Sequence, residues 1–274
     1  YQQHPTLTDE DRTEEADKVS ARIAEMLGEQ TFTFSPAEYL AIHRRLFTGI
    51  YKFAGKIRDY NITKKEWVLN GETVLYASAD SLNATLEYDF EQERKFSYKG
   101  LSEQEFIEHM AHFISSLWQI HIFGEGNTRT TAIFLIKYLR KLGFKNVNND
   151  LFANHSWYFR NALVRANYED LSSGIYRTKK FLNHFLSNLL LKENYLLKNR
   201  EIHILADTVK SQTDTVNDTV FSLINKDRKI TANEISERLK MSLSTVRRKI
   251  KDLRNNGKIE RIGSDKTGHW KIIE

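Results

Sequence analysis

The chain has 274 residues, 40% of them hydrophobic and 28% charged, a composition of ordinary globular proteins and a length sufficient for one large core or two smaller ones. It has no cysteine, which excludes disulfides and thiolate metal sites, and no apolar run of the roughly 18 residues that a membrane-spanning helix needs. The net charge of +5 is uneven: residues 219–274 hold 14 Lys/Arg against 7 Asp/Glu, leaving 27 against 29 in residues 1–218, so the basic character belongs to the C-terminal segment.

The opening residues, YQQHPTLTDED, have neither an apolar leader nor a Met. No signal peptide is expected, the start reads as lying inside a longer chain, and the absence of cysteine fits a reducing, cytoplasmic setting. Only 2 prolines occur, which favours long uninterrupted helices. Ser35-Pro36-Ala37-Glu38 is a capping box with Pro at the first helical position, followed by Ile42, Leu46 and Ile50 at helical spacing. Residues 66–76 break the run: Glu66-Trp67-Val68-Leu69, Asn70-Gly71 and Thr73-Val74-Leu75-Tyr76 predict a β-hairpin flap turning at Asn-Gly. Ser102 and Glu105 make a second capping box ahead of an apolar stripe, Phe106, Met110, Phe113, Ile114 and Leu117. From Thr130 to Leu142 apolar residues cover nearly every side, predicting a central buried helix that stops at Gly143. Helical patterns resume over 156–171 and 178–197, and 201–218 reads as a linker or connecting helix.

Between the second and third of these helices lies His121-Ile122-Phe123-Gly124-Glu125-Gly126-Asn127-Thr128-Arg129. It combines the groups that phosphoryl or nucleotidyl transfer requires, which are a base, positioning and charge stabilisation. A helix N-terminus presents free N–H groups to a phosphate, and Gly124 and Gly126 let the main chain come close. Asn127 can donate a hydrogen bond to a phosphate oxygen, Arg129 offers a planar charged fork, and Glu125 suits Mg²⁺. His121 is the side chain fit to take a proton near neutral pH. His109 and His112, one helical turn apart without a third ligand in view, read as packing or polar-face residues, and Trp118 and Tyr138 as core.

This run resembles the signature of the Fic family, H-x-F-x-[D/E]-G-N-G-R-x-x-R, matching it at His121, Phe123, Glu125, Gly126, Asn127 and Arg129. Ala54-Gly55-Lys56-Ile57-Arg58 is similar to the family's segment ahead of its flap, and the likeness in element order extends over residues 14–200. The resemblance implies a mainly α fold, a Fic-type helical bundle with a β-hairpin flap. It implies transfer of AMP from the co-substrate ATP, with Mg²⁺, onto a Ser, Thr or Tyr hydroxyl of a target protein. His121 would be the base and Glu125 the metal ligand. Gly124, Gly126, Asn127, Thr128 and Arg129 would bind phosphate, Phe123 would anchor the loop, and Trp67, Val68, Leu69, Val74 and Leu75 would dock the target segment. Ile122, Thr128 and Ala132 depart from the pattern. Ile122 stands where Pro is common, with little consequence expected, while Thr128 replaces a glycine beside the anion hole and Ala132 an arginine that grips the terminal phosphate. The related Doc branch also lacks that glycine and transfers the terminal phosphate, so a kinase-like activity is the alternative. A nucleotide-sensing transcription regulator with an inactive Fic domain is a third reading. The family's inhibitory pattern [S/T]-x-x-x-E-[G/N] is absent, since Leu189 precedes Glu193-Asn194, and that intramolecular lock is not expected.

In the basic segment, Thr231-Ala232-Asn233-Glu234 caps a short helix, Lys240-Met241-Ser242 turns, and Leu243–Arg254 forms a second helix with Leu243, Val246, Ile250 and Leu253 inward. Lys258–Ile262 and His269–Ile273 then predict a two-stranded wing. The segment resembles winged helix-turn-helix DNA-binding domains, a small α+β fold. The helical pattern leaves Ser244, Thr245, Arg247, Arg248, Lys249 and Lys251 for the outer faces; the resemblance implies that Ser244, Thr245, Arg247, Arg248 and Lys251 meet DNA and that Lys266 and Lys271 touch phosphates. The organisation expected is a Fic domain with an N-terminal helical extension over 1–200, the linker 201–218 and the winged helix-turn-helix domain over 219–274. A protein target and DNA are the expected partners, a homo-oligomer is left open, and no membrane contact is expected.

Overall fold

In the computed structural model, which describes residues 9–205, 220–239, 241–263 and 268–273, the chain divides into two units, Tyr1–Ile204 and Leu205–Glu274. The first is helical: α1 (Asp9–Gly28), α2 (Pro36–Phe47), α3 (Leu82–Lys95), α4 (Glu103–Ile120), α5 (Asn127–Lys141), α6 (Asp150–Asn154), α7 (Ser156–Ala166), α8 (Lys180–Leu191) and α9 (Asn199–Ile202). No described helix is long and apolar enough to cross a membrane.

The helix starts follow the sequence. Ser35 Oγ accepts from Glu38 N at 3.1 Å to open α2. At α4, Ser102 Oγ accepts from Glu105 N at 3.3 Å while Glu105 Oε2 accepts from Ser102 N at 2.8 Å. α5 lies at the centre, with Phe134, Leu135, Ile136 and Leu139 fully buried among α2 and α4. Phe134 meets Phe90 and Tyr39 edge-on at 5.4 Å each. Truncating such a ring to Ala costs about 3–5 kcal/mol. α5 also holds α1: Lys137 Nζ donates to Met26 O at 2.8 Å and Arg140 Nη1 to Leu27 O at 2.5 Å, so two cations cap the last carbonyls of α1. Buried Glu93 accepts from Tyr98, from Tyr138 at 2.7 Å, and pairs with His109 Nε2 at 2.7 Å. His109 thus belongs to a core network, and no group of three metal-ligating side chains occurs among the described residues.

Three expectations are corrected. Residues 66–76 form no strand pair. Trp67–Leu69 is a 3₁₀ turn, closed by Gly71 N to Glu66 O at 3.0 Å. Asn70 and Gly71 do take the positive φ values, 55° and 93°, that the Asn-Gly signal implies. The hairpin fails because Val68 and Leu69 are both fully buried, and consecutive inward side chains are incompatible with the two-residue period of a strand. α7 stops at Ala166 rather than 171, because the Asn167 amide turns back onto Leu163 O at 3.0 Å and reaches Ser115 O at 2.9 Å. α8 stops at Leu191 rather than 197. Lys192 turns left-handed at φ 58°, and Tyr195 folds back onto Asn188 Oδ1 at 2.8 Å.

The second unit holds a helical segment α10 at 220–226, then α11 (Ala232–Leu239), α12 (Leu243–Asn255), β1 (Ile259–Ile262) and β2 (His269–Ile272). The strands pair antiparallel, with Ile259 opposite Ile272 and Arg261 opposite Trp270. Val220, Ile224, Ile235, Val246, Leu253 and Ile259 form its core. Trp270 joins them, its Nε1 donating to Ile230 O at 3.1 Å.

Candidate active site

The loop begins where α4 ends. His121 sits at φ 52°, ψ 52°, a left-handed conformation that a non-glycine residue adopts at a cost of about 1–2 kcal/mol. Arg58 holds it there. The Arg58 guanidinium donates to His121 O at 2.8 Å, to Ala77 O at 2.5 Å and to Tyr60 O, and its main-chain N–H donates to Ile122 O at 3.0 Å. Phe123 is fully buried and stacks on the His43 ring at 3.7 Å, the anchor expected of it. Asn127 closes the loop. Its Nδ2 donates to Phe123 O at 2.7 Å and its Oδ1 accepts from Phe123 N at 3.0 Å. That corrects the expected role of its side chain: the amide is used within the loop, and what remains for a phosphate is its main-chain N–H in the first turn of α5. Gly126 is required, because its φ is 83° and a Cβ there would lie 2.4 Å from Phe47.

Glu125 projects beside this turn. Its Oε2 is 3.0 Å from Lys64 Nζ and its Oε1 accepts from Gly126 N at 3.1 Å. Partial enclosure would raise its pKa, but Lys64, the Gly126 amide and Arg129 together hold it below the usual carboxylate range. One carboxylate of this kind suits a Mg²⁺ that takes its other ligands from substrate phosphates and water. Arg129 lies over the Phe47 ring at 4.7 Å and donates to Glu15 Oε1 of α1 from both Nη atoms at 3.1 Å, and to the Tyr51 hydroxyl at 3.1 Å. The Thr128 hydroxyl accepts from Trp118 Nε1 at 3.0 Å, so this departure from the pattern is bound into the core. Ala132 is buried.

The His121 ring packs between Tyr76 at 4.3 Å and Trp118 at 5.3 Å, and both of its nitrogens are buried without a protein hydrogen bond. Burial holds its pKa well below the ordinary histidine value, reinforced by the charges of Lys64, Arg58 and Arg160. The ring is therefore neutral near pH 7, with a lone pair able to take a proton.

Several contributors were not visible as site residues. His43 receives the Gly55 N–H on Nδ1 at 2.8 Å, which fixes the proton on Nε2, and that nitrogen donates to Glu125 O at 3.0 Å. Burial pushes its pKa down to about 4. The available signal was a histidine on the buried stripe Tyr39, Ile42, His43, Leu46. Below His121, Tyr76 donates to Glu66 Oε1 at 3.2 Å, and Arg160 grips Glu66 at 2.6 and 2.9 Å. Of the expected docking residues, Val68, Leu69 and Val74 are buried and unable to meet a target, whereas Trp67 and Leu75 are 58% and 85% exposed. In the second unit Ser244, Arg247, Arg248, Lys251 and Lys271 are exposed, and Thr245 is half-buried over its Ser242 cap. Lys249 is buried rather than outward, and Lys266 lies outside the described residues.

Comparison with known proteins agrees with this geometry. The profile of the Fic/DOC family matches residues 33–139, and that of an HTH domain matches 217–268. The chain is 29% identical over 103 residues to protein adenylyltransferase VbhT of Bartonella schoenbuchensis, covering 38% of this chain and 20% of VbhT. It is 29% identical over 137 residues to the probable protein adenylyltransferase y4lH of Sinorhizobium fredii, covering 50% of this chain and 67% of y4lH. The chain thus spans a fifth of the length of one of these relatives and two thirds of the other. The N-terminal FIC domain of Bep8 from Bartonella sp. 1-1C shares the fold at a TM-score of 0.53 and 18% identity, covering 72% of this chain and 93% of that domain. Residues 33–139 thus match the Fic/DOC family and residues 217–268 an HTH domain.

Proposed function

We propose that the loop 121–129 transfers AMP from Mg-ATP onto a Ser, Thr or Tyr hydroxyl of a target protein. The observation that carries this reading is His121: a neutral ring with both nitrogens unpartnered, at the edge of a loop that also offers a carboxylate and a helix N-terminus. It is supported by the two relatives named as adenylyltransferases. The target oxygen forms a bond to the α-phosphorus as the bond to the bridging oxygen breaks. The hydroxyl proton passes to His121, and pyrophosphate leaves. The main-chain N–H groups at the start of α5 stabilise charge on the transferred phosphate, and Arg129 holds a further one. Mg²⁺ at Glu125 would supply charge neutralisation between phosphate oxygens. Trp67 and Leu75 are the flap side chains that remain for contact with the target.

Ala132 favours a second reading, transfer of the terminal phosphate, because no arginine stands at that position of α5 to hold it in place as a leaving group. ATP labelled at the α or the γ phosphate separates the two, with His121→Ala as control. Label on protein from the α position supports adenylylation, and from the γ position phosphorylation. Label from neither, with His121 intact, overturns both in favour of a nucleotide-sensing regulator. The HTH unit would carry the protein to DNA through α12, a reading that places it in the cytoplasm with ATP.

A further inference from the structure

A cavity of about 550 Å³, lined by no residue of the loop, lies between the middle of α4, the end of α7 and the lead into α8. Its nearest wall on α4 is Ser115 and Ser116, and Ser115 precedes His121 by six residues, about 9 Å along the helix. Part of the lining is already satisfied. Asn167 donates its amide to Ser115 O and Leu163 O, and Ser115 Oγ donates to His112 O at 3.0 Å. Glu108 accepts from Gln104 at 2.8 Å, and Arg177 pairs with Glu169 at 2.8 Å.

Two lysine side chains and one amide oxygen of the lining have no partner among the described residues. Among the described residues, neither Lys179 nor Lys180 has a carboxylate within ion-pair distance, and both stand beside Arg177. Three neighbouring cations repel one another, and they do so in the part of the chain whose net charge is −2. The first turn of α8, which Lys180 opens, adds partial positive charge; the Lys180 N–H donates to Thr178 Oγ1 at 3.3 Å, and Lys179 at the N-cap contributes no side-chain cap. Asn183 Oδ1 is buried without a hydrogen-bond partner, an acceptor in need of a donor. Ala166 is the single apolar residue of the lining, and no Phe, Tyr or Trp is present to stack on a base.

We propose that this cavity binds a small phosphorylated molecule that also carries hydroxyl groups, of the sugar-phosphate class. Its phosphate sits between Lys179, Lys180 and the start of α8, and a hydroxyl donates to Asn183 Oδ1. The site is separate from the loop and stands whether or not the loop transfers AMP.

Titration calorimetry on the full chain tests this with ribose 5-phosphate, inorganic phosphate and ribose as probes. Saturable binding of ribose 5-phosphate is expected, tighter than inorganic phosphate and far tighter than ribose. The Lys179→Ala/Lys180→Ala pair should weaken it about tenfold or more, because charge-assisted hydrogen bonds are lost. Asn183→Ala should remove the preference for ribose 5-phosphate over inorganic phosphate, and Arg129→Ala in the loop should change neither. Circular dichroism verifies that the surface lysine variants keep their helix content. Absence of saturable binding in the millimolar range overturns the proposal. So does binding that survives the lysine pair, or binding lost with Arg129, which would place the ligand in the loop.

Discussion

The indole Nε1–H of Trp118 donates to the hydroxyl oxygen of Thr128 at 3.0 Å, joining the last turn of α4 to the first turn of α5 across the loop. Trp118 is fully buried, so its N–H has no recourse to water. Thr128→Val keeps the shape and removes the acceptor. It should cost about 1–3 kcal/mol, the penalty of a buried unpaired donor. Thr128→Ser keeps the oxygen and should stay within about 1 kcal/mol of the parent. Urea denaturation measures both, and equal loss in the two variants would show that the methyl group, not the hydrogen bond, matters.

Arg129, the expected phosphate ligand, is held by Glu15 of α1 and by Tyr51. The Glu15 side chain is 18% exposed and that of Arg129 38%, so the pair is partly screened and worth at most about 1 kcal/mol. Glu15→Gln should release the guanidinium and lower the KM or Kd for ATP by up to about fivefold, with little change in the fold. A weaker affinity would mean that Glu15 orients Arg129 instead of competing for it.

His121 must be neutral to accept a proton, and its pKa lies well below 6.5, first through burial and then through Lys64, Arg58 and Arg160. The acid limb of the kcat/KM profile should therefore fall below pH 6.5, and Lys64→Gln should move it upward. The same depression links to stability. The unfolded chain takes up a proton at His121 near pH 6.5 and the folded chain does not, so this contribution is full above that pH and declines as the pH falls below it. His121→Asn should accordingly lose less stability than the parent on acidification from pH 7 to pH 5.

The nine residues of the loop could be read because base, acid, glycines and cation are consecutive, and their local spacing is the signal. Their partners come from far along the chain. His43 reaches Glu125 across 82 residues, Lys64 reaches it across 61, and Glu15 reaches Arg129 across 114. No local period encodes such contacts; they exist because α1, α2 and α5 pack together and the segment ahead of Trp67 lies against the loop. The flap shows the opposite limit. Asn70-Gly71 announced its turn correctly, but whether the preceding Val68 and Leu69 lie on one face or two is decided by the core beneath them. Lys249, expected on an outer face of α12, lies instead with Val246, Ile250 and Leu253 on its buried face.

Arg58 is buried and faces only main-chain carbonyls from three segments, those of Tyr60, Ala77 and the end of α4. Arg58→Met leaves those acceptors unsatisfied and frees the left-handed turn at His121. A loss of about 3 kcal/mol in stability is expected, with a fall in kcat because His121, the proposed base, loses its fixed position. Arg58→Lys should rescue little, since an ammonium cannot reproduce the planar fork. Full activity in Arg58→Lys would reduce the residue to a charge.

On α12, Arg247 and Arg248 are exposed while Lys249 is buried, so the two arginines can reach a ligand and the lysine supports the helix. If α12 enters a major groove, the two classes of contact separate by salt. An arginine on a phosphate contributes about 0.9 to the slope of log K against log salt, irrespective of sequence. An arginine on a guanine edge carries about 1–3 kcal/mol of discrimination at one base pair and leaves other sequences unchanged. Fluorescence anisotropy with duplex DNA over a salt series, on Arg247→Ala and Arg248→Ala separately, assigns each residue to one class. Binding indifferent to both substitutions would remove α12 from the interface. Lys249→Ala should instead lower the melting temperature of the HTH unit, because Lys249 is buried on the same face of α12 as Val246 and Leu253.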